Sequence, residues 1–343
     1  MPAGKRRDAV SAQAKREAAI PPAPAIPSSG RSGRWADLLL LGVAAVWGWT
    51  FVLVKEGLEE VPPFTFLFYR FALAWVLLGV LVGPQLRGVG RSGDVWRKGA
   101  LLGAVLFGGY ALQTIGLLYT TATNSGFLTG LSVVLVPVLG AGLFRERVPR
   151  AIWAGAVLSV LGLMGIAFGA EVSWGAMPLV EEGIGIPRWN VGDGLTLLCA
   201  GAFALQILLL SRYTRPETHV PILMAQVGMV AVLSGAGMLL WEDPSLPSSW
   251  QAWKGIVMTG VFATALALWV QTRFQPLSGA GRTAILFSSE PIFAALFGYV
   301  LLGERLVGGQ WIGAALLLGA ILLTQQVSTA PPDPPPPGRE GTA

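Results

Sequence analysis

The sequence predicts an all-α polytopic membrane protein with ten transmembrane helices arranged as two inverted five-helix repeats. Three observations carry that expectation. Of 343 residues, 53% are hydrophobic and only 13% charged, whereas a soluble globular domain carries about 25% charge. Uncharged stretches recur at 99–144, 151–170, 194–211, 218–241, 255–272 and 306–332, each at or above the ~18 residues that suggest a membrane-spanning helix. The chain also matches itself at offsets of 156 to 158 residues.

Residues 1–34 mix Ala, Pro, Ser and Lys/Arg without apolar periodicity, and 328–343 are Pro-rich; both are expected to be disordered tails. The first span, 36–55, is followed by Glu56, Glu59 and Glu60 and shows no small-residue cleavage site, so it is expected to be retained and not to be a signal peptide. The second, 64–83, carries Arg70. The third and fourth, 99–119 and 123–144, meet at 119–123, a joint that no charge marks. The fifth, 150–169, completes a first repeat over 35–170. An extracytoplasmic loop at 171–192 leads to a second repeat over 193–327, with spans at 194–212, 221–240, 254–272, 283–303 and 309–326. Spans of about 20 residues match the thickness of bilayer hydrocarbon.

Basic residues set orientation. This topology puts 19 of the 24 on the side of the N-terminal tail and four (Lys55, Arg188, Lys254, Arg305) on the other, with Arg70 inside a span. Both termini are therefore expected in the cytoplasm of a cell-membrane protein. The net charge of +5 reads as an orientation signal and not as nucleic-acid affinity. One cysteine, Cys199, and one histidine, His219, allow neither an intrachain disulfide nor a multi-histidine metal site. No metal or cofactor is expected.

The self-match pairs Asp37 with Asp193, Lys98-Gly99 with Lys254-Gly255, Gln113-Thr114 with Gln271-Thr272, Glu146-Arg147 with Glu304-Arg305, and Trp153 and Gly155 with Trp311 and Gly313. Five spans per repeat is an odd number, so the second half enters the membrane in the opposite sense. Inverted repeats typify secondary transporters with a binding site near the midplane. Pro137 lies nine residues before Glu146, whereas Pro291 lies thirteen before Glu304, which predicts that the halves kink at non-equivalent places. Trp47-Gly48-Trp49-Thr50-Phe51 with Lys55, Arg70-Phe71, Tyr119-Thr120 through Gly126-Phe127-Leu128-Thr129-Gly130, Glu290-Pro291 and Gly303-Glu304-Arg305-Leu306 together resemble the EamA family of the drug/metabolite transporter superfamily over about 36–326. The resemblance implies a ten-helix exporter of small metabolites, amino acids or drugs, working by alternating access without ATP hydrolysis.

Glu290 is the acidic residue placed deep in a span, where an unpaired carboxylate costs at least about 2.5 kcal/mol. Such a site suits proton coupling; the competing reading is a protonated group capping backbone that Pro291 frees. Arg70 is either an anion contact for substrate or a shallow side chain that snorkels to the interface or pairs with Glu56, Glu59 or Glu60. Tyr110, Gln113, Asn124, Gln206 and Gln271 offer donors and acceptors that lipid cannot satisfy, and Trp47 and Trp269 could stack on an aromatic or cationic solute. These seven are the candidate substrate contacts; helix-to-helix hydrogen bonding and ordinary packing are the alternatives. Paired small residues at 99/103, 126/130, 165/169 and 309/313 read as internal helix packing.

An enzyme is not expected, because neither paired core acids nor a second histidine is present. A channel would want charge rings or a carbonyl filter, and no Walker loop exists for ATP-driven transport; Gly88-x-Gly90-x-x-Gly93 precedes no βαβ unit. The remaining alternative is a non-transporting membrane scaffold or sensor with a polar ligand cavity. Expected partners are a small-molecule substrate and the lipid bilayer, with the chain a monomer or homodimer.

Overall fold

The computed structural model describes residues 31–88, 93–120, 122–168, 190–243, 246–302 and 308–325. Residues 1–30, 328–343, most of the expected loop at 171–192 and the motif at 303–306 lie outside them, while residues 31–34, expected in the disordered tail, are helical. All regular structure among the described residues is helical. In chain order the helices are α1 (Arg31–Gly57), α2 (Pro63–Leu81), α3 (Gly93–Gly116), α4 (Ala122–Gly130), α5 (Ser132–Phe144), α6 (Arg150–Phe168), α7 (Val191–Tyr213), α8 (His219–Trp241), α9 (Trp250–Met258), α10 (Ala267–Ser278), α11 (Ala280–Phe287), α12 (Glu290–Leu302) and α13 (Gly308–Gln325). A π-helical segment, Thr259–Leu266, joins α9 to α10.

Six stretches are long and apolar enough to cross a membrane: Pro63–Leu81, Gly93–Gly116, Ser125–Phe144, Val191–Tyr213, His219–Trp241 and Trp250–Ser278. Their outer faces carry exposed Val76, Val80, Leu81, Leu198, Val232, Leu239 and Leu240. A water-facing surface rarely carries so much contiguous apolar area, and helices satisfy their own backbone in hydrocarbon. The chain is an integral membrane protein.

Local chemistry fixes several helix ends. Asn190 and Asp193 form a reciprocal capping box on α7, and Ser249 accepts from Ala252 N–H at the start of α9, each satisfying a donor that has no intrahelical acceptor. Helix α2 starts with Pro62 and Pro63, and its free N–H groups are taken by a residue from α8's end. Glu242 accepts from Phe64 N–H, Thr65 N–H and Thr65 Oγ1, each at 2.8 Å. Glu242→Ala should lower stability by about 1 kcal/mol, the usual worth of an N-terminal cap. It would be read as a lower unfolding midpoint in detergent, and an unchanged midpoint would show that water replaces the carboxylate.

Helices α6 and α13 pack along one another, α3 packs on α7 and α8, and α2 packs on α8. Glycines set several of these approaches. A Cβ at Gly99 would meet Ala225 and Ile222 of α8, one at Gly103 would meet Gln226, and one at Gly165 would meet Gly313 and the Gly309 carbonyl. Three of the paired small residues thus serve internal packing. Gly126 instead has nothing within 4 Å.

The halves do break at equivalent places, contrary to the proline spacing. Helices α4 and α5 part at Leu131, and α11 and α12 at Ser288 and Ser289; Leu131 and Ser289 are one 158-residue offset apart. The hydrogen bonds match as well. Leu131 N–H donates to Leu128 O, and Val134 and Leu135 N–H to Leu131 O; Ser289 N–H donates to Leu286 O, and Ile292 and Phe293 N–H to Ser289 O. Backbone i to i−3 closure, not proline, sets the break. Pro291 occupies the first turn of α12, where a missing N–H costs nothing, and Pro137 is buried within α5.

A second correspondence lies at the helix ends. Thr120 Oγ1 donates to Asp193 at 2.6 Å, and Ser278 Oγ donates to Asp37 at 2.7 Å. Both residues of one pair are displaced from the other pair by the repeat offset. Asp37 is also ion-paired to Arg282.

The spacing differs at one point. Gly99 and Gln113 are 14 residues apart, while their counterparts Gly255 and Gln271 are 16 apart. The two extra residues fall in the interval that holds the π-helical segment. A π turn closes i to i+5 and is the usual way a helix absorbs an insertion.

Candidate functional site

Two buried apolar clusters organise the bundle. One gathers α1, α5, α6, α7, α10, α11 and α13 around Leu40, Val136, Leu208, Ile285 and Leu317. The other gathers α2, α3 and α8 around Leu67, Phe71, Leu106, Leu223 and Val227. Trp47 and Trp269 pack against both. A cavity opens at this seam, with Leu106, Tyr110 and Leu268 from one cluster and Ile207 and Phe287 from the other in its wall. Its volume is about 80 Å³, against the ~10–15 Å³ one water needs on the same measure. That admits a small solute.

Seven of the nine candidate residues from the sequence, Trp47, Arg70, Tyr110, Gln113, Gln206, Gln271 and Glu290, line the cavity. Trp269 does not line it; its ring meets Phe274 edge-on at 6.3 Å. The side chain of Asn124 lies outside the described residues. Thr50, Thr129, Ser132 and Phe203 also form the wall, and sequence reasoning had not singled them out. Thr129 was within reach, because it sits in the Gly126–Gly130 segment already noted; Phe203 carried no distinguishing signal in an apolar span. Gly126 faces the cavity too, which explains the empty space beside it.

The polar groups are tied to one another across helices. Gln113 Nε2 donates to Thr129 Oγ1 at 3.1 Å. Its repeat counterpart Gln271 donates to Gln206 Oε1 at 3.3 Å and to Gln275 Oε1 at 2.9 Å, and Gln275 donates to Ile207 O and Ser211 Oγ. Gln206 Nε2 and Gln271 Oε1 are buried without a hydrogen-bond partner among the described residues. Leaving a donor and an acceptor unmatched costs roughly 1–3 kcal/mol each, which a polar solute at this point would recover.

Trp47 is held by its Nε1, which donates to Ala263 O in the π segment at 2.9 Å, and it meets Phe287 edge-on at 4.9 Å. Arg70 departs from the snorkelling expectation. It is 4% exposed, donates Nε–H to Thr264 Oγ1 at 2.7 Å, and lies over the rings of Tyr110 and Phe71 at 4.8 and 5.5 Å. Among the described residues it makes no ion pair, with Glu56, Glu59 and Glu60 or any other acid.

Glu290 opens α12 directly after the break. Its carbonyl is packed against Gly48, where a Cβ would stand 2.5 Å from Glu290 O. Its carboxyl makes no hydrogen bond or ion pair with a described residue. The capping reading therefore finds no partner here, and the carboxyl is left to the cavity.

Away from the cavity, Arg212 at the end of α7 forms an ion pair with Glu146 at 2.6 Å and lies over Phe144 at 4.0 Å. Lys55 at the end of α1 donates to the carbonyls of Leu117 and Thr120.

The sequence pattern of the EamA-like transporter family matches residues 34–168 and again 190–325. The chain belongs to the EamA-like transporter family. As an EamA-like transporter it is similar to an uncharacterised transporter of Archaeoglobus fulgidus, 30% identical over 84% of this chain and 85% of that protein. It is also similar to the uncharacterised transporter YetK of Bacillus subtilis, 27% identical over 90% and 91%, and to the uncharacterised inner membrane transporter YedA of Escherichia coli, 24% identical over 83% and 88%. A solved structure superposes with a TM-score of 0.66 at 21% identity, covering 85% of this chain and 96% of that one, which shows a shared fold. The two EamA segments bracket the cavity, whose lining comes from both.

Proposed function

We propose that this membrane transporter exports a small solute by alternating access, with ten spans in two inverted repeats rocking around the cavity. The observation that carries the reading is the placement of repeat-related polar groups, Gln113 and Gln271, in one cavity lined by residues of both halves. Matched helix breaks at Leu131 and Ser289 and matched end contacts at Asp37 and Asp193 support two halves that exchange roles. The Asp37 end faces the cytoplasm in this reading, as the distribution of basic residues favours. Relatives named as transporters support transport over an enzyme or a scaffold.

Solute contacts are Trp47, Tyr110, Gln113, Gln206 and Gln271, with Glu290 exchanging a proton during the cycle. A carboxyl that has no hydrogen-bond or ion-pair partner among the described residues and lines the path can bind a proton and a cationic group in turn. The test compares extracellular metabolites from cells expressing the native chain, the Glu290→Gln variant, and neither, with membrane insertion checked. A solute should accumulate outside only with the native chain, and its export by Glu290→Gln should fall at least tenfold or lose its pH dependence. Full export by Glu290→Gln with the native pH profile would remove the coupling role. No difference across a broad panel would turn the reading toward a scaffold or sensor.

A further inference from the structure

Arg70 is a charge that the fold has placed in a low-dielectric wall without an ion pair among the described residues, although Glu290 lines the same cavity. It is 4% exposed and lines the cavity, and an unpaired cation in such surroundings is costly. The two-residue insertion in the second half becomes the π segment Thr259–Leu266, and that segment supplies both anchors of this wall: Thr264 Oγ1 for Arg70 Nε and Ala263 O for Trp47 Nε1. In the first half the corresponding stretch of α3 is unbroken α-helix. The device is therefore present in one repeat and absent from the other, so it is not part of the symmetric framework.

The Nε–H contact with Thr264 and the hydroxyl of Tyr110 beside the guanidinium orient its plane, and a guanidinium fixed this way on a cavity wall offers its remaining N–H donors to a carboxylate. Tyr110, Trp47, Phe203 and Phe287 surround the site with aromatic surface. We propose that Arg70, positioned by the π-helical insertion, is the binding point for a carboxylate on the transported solute, whose body is small and apolar. This rests on the transporter reading only for the word transported; binding itself does not depend on it. A purely cationic solute is disfavoured by the same charge, and a zwitterion could set its ammonium toward Glu290 in the same cavity.

The test titrates the purified full-length protein with three solutes of one shape, phenylalanine, 3-phenylpropionate and phenethylamine, following the unfolding midpoint and tryptophan fluorescence. Both carboxylates should bind and phenethylamine should not. Arg70→Gln should weaken the carboxylates at least tenfold, Arg70→Lys should weaken them less, and Thr264→Val should give an intermediate loss because it frees the guanidinium without removing it. Arg70→Lys keeps the charge, so a general folding defect of Arg70→Gln would be told apart by its native midpoint without ligand. Binding of the amine alone, equal binding of all three, unchanged carboxylate binding by Arg70→Gln, or no response to either carboxylate would each overturn the proposal. Export of a solute lacking a carboxylate, undiminished in Arg70→Gln, would overturn it while leaving the transporter reading intact. Arg70-dependent binding without any export would do the reverse.

Discussion

Gly313→Leu is expected to abolish the folded state. A Cβ at Gly313 would stand 2.6 Å from Gly162 O, 2.7 Å from Ile166 N and 2.8 Å from Gly165 C. All three are backbone atoms of α6, so no side chain can turn aside. The approach is tight from the other side as well, since a Cβ at Gly162 would meet Gly313 O at 2.8 Å. Leucine therefore forces α6 and α13 apart along a backbone-to-backbone contact, and overpacking alone commonly costs about 1–3 kcal/mol before any helix separates. Gly319→Leu is the matched control on the same helix, because its Cβ meets only Leu158 Cδ2, at 3.5 Å. Size-exclusion of detergent-solubilised protein should show a monodisperse peak for Gly319→Leu and aggregated or absent protein for Gly313→Leu. A native peak and midpoint for Gly313→Leu would mean that the two helices can separate without loss.

Removing one partner of the Asp37 contact should be the largest single electrostatic loss. Asp37 accepts from Ser278 and is ion-paired to Arg282, with side chains 3% and 16% exposed. Breaking a buried pair by deleting one member typically costs on the order of 3–5 kcal/mol, because the other charge stays buried, while replacing both by apolar groups can be neutral. Asp37→Ala should therefore lower the unfolding midpoint strongly, and Asp37→Leu with Arg282→Met should recover most of it. Arg282 Nε already lacks a partner among the described residues, so little compensation is available to the single variant. Equal midpoints for the single and the double variant would show that the hydroxyl of Ser278, and not the charge pair, carries the contact.

The membrane class and the positions of the apolar helices were legible in the sequence because hydrocarbon imposes one strong rule, long uncharged runs, that needs no tertiary knowledge. Seven of the nine candidate residues, Glu290 among them, were brought to one cavity for the related reason that polar side chains in such runs have few other places to go. The depth of Arg70 was not legible. Its distance along α2 fits snorkelling equally well, and only the rings of Tyr110 and Phe71 and the hydroxyl of Thr264 turn it inward. The break at Leu131 had no signature, since proline was the cue and backbone closure is the cause. The π segment did leave a trace, the change of offset from 156 to 158, but a spacing change names an insertion and not its conformation. Trp269 packs against both clusters and is not in the cavity wall, a difference in facing that its position near mid-span does not encode.

The contacts at the two helix ends are alike in kind and unequal in strength. Asp37 accepts from a hydroxyl and a guanidinium, whereas Asp193 accepts from the hydroxyl of Thr120 and from the backbone N–H of its capping partner Asn190. One offset before Arg282 the sequence has the uncharged Asn124, so the charge that Arg282 brings to Asp37 has no charged counterpart at that position. Under the proposed cycle this asymmetry is a standing bias. The form closed at Asp37 is the populated one, and a solute that binds only the opposite form shows an apparent Kd equal to its intrinsic Kd divided by that form's fraction. Affinity measured from the two sides of the membrane would then differ even for a cavity whose contacts with the solute are identical in both.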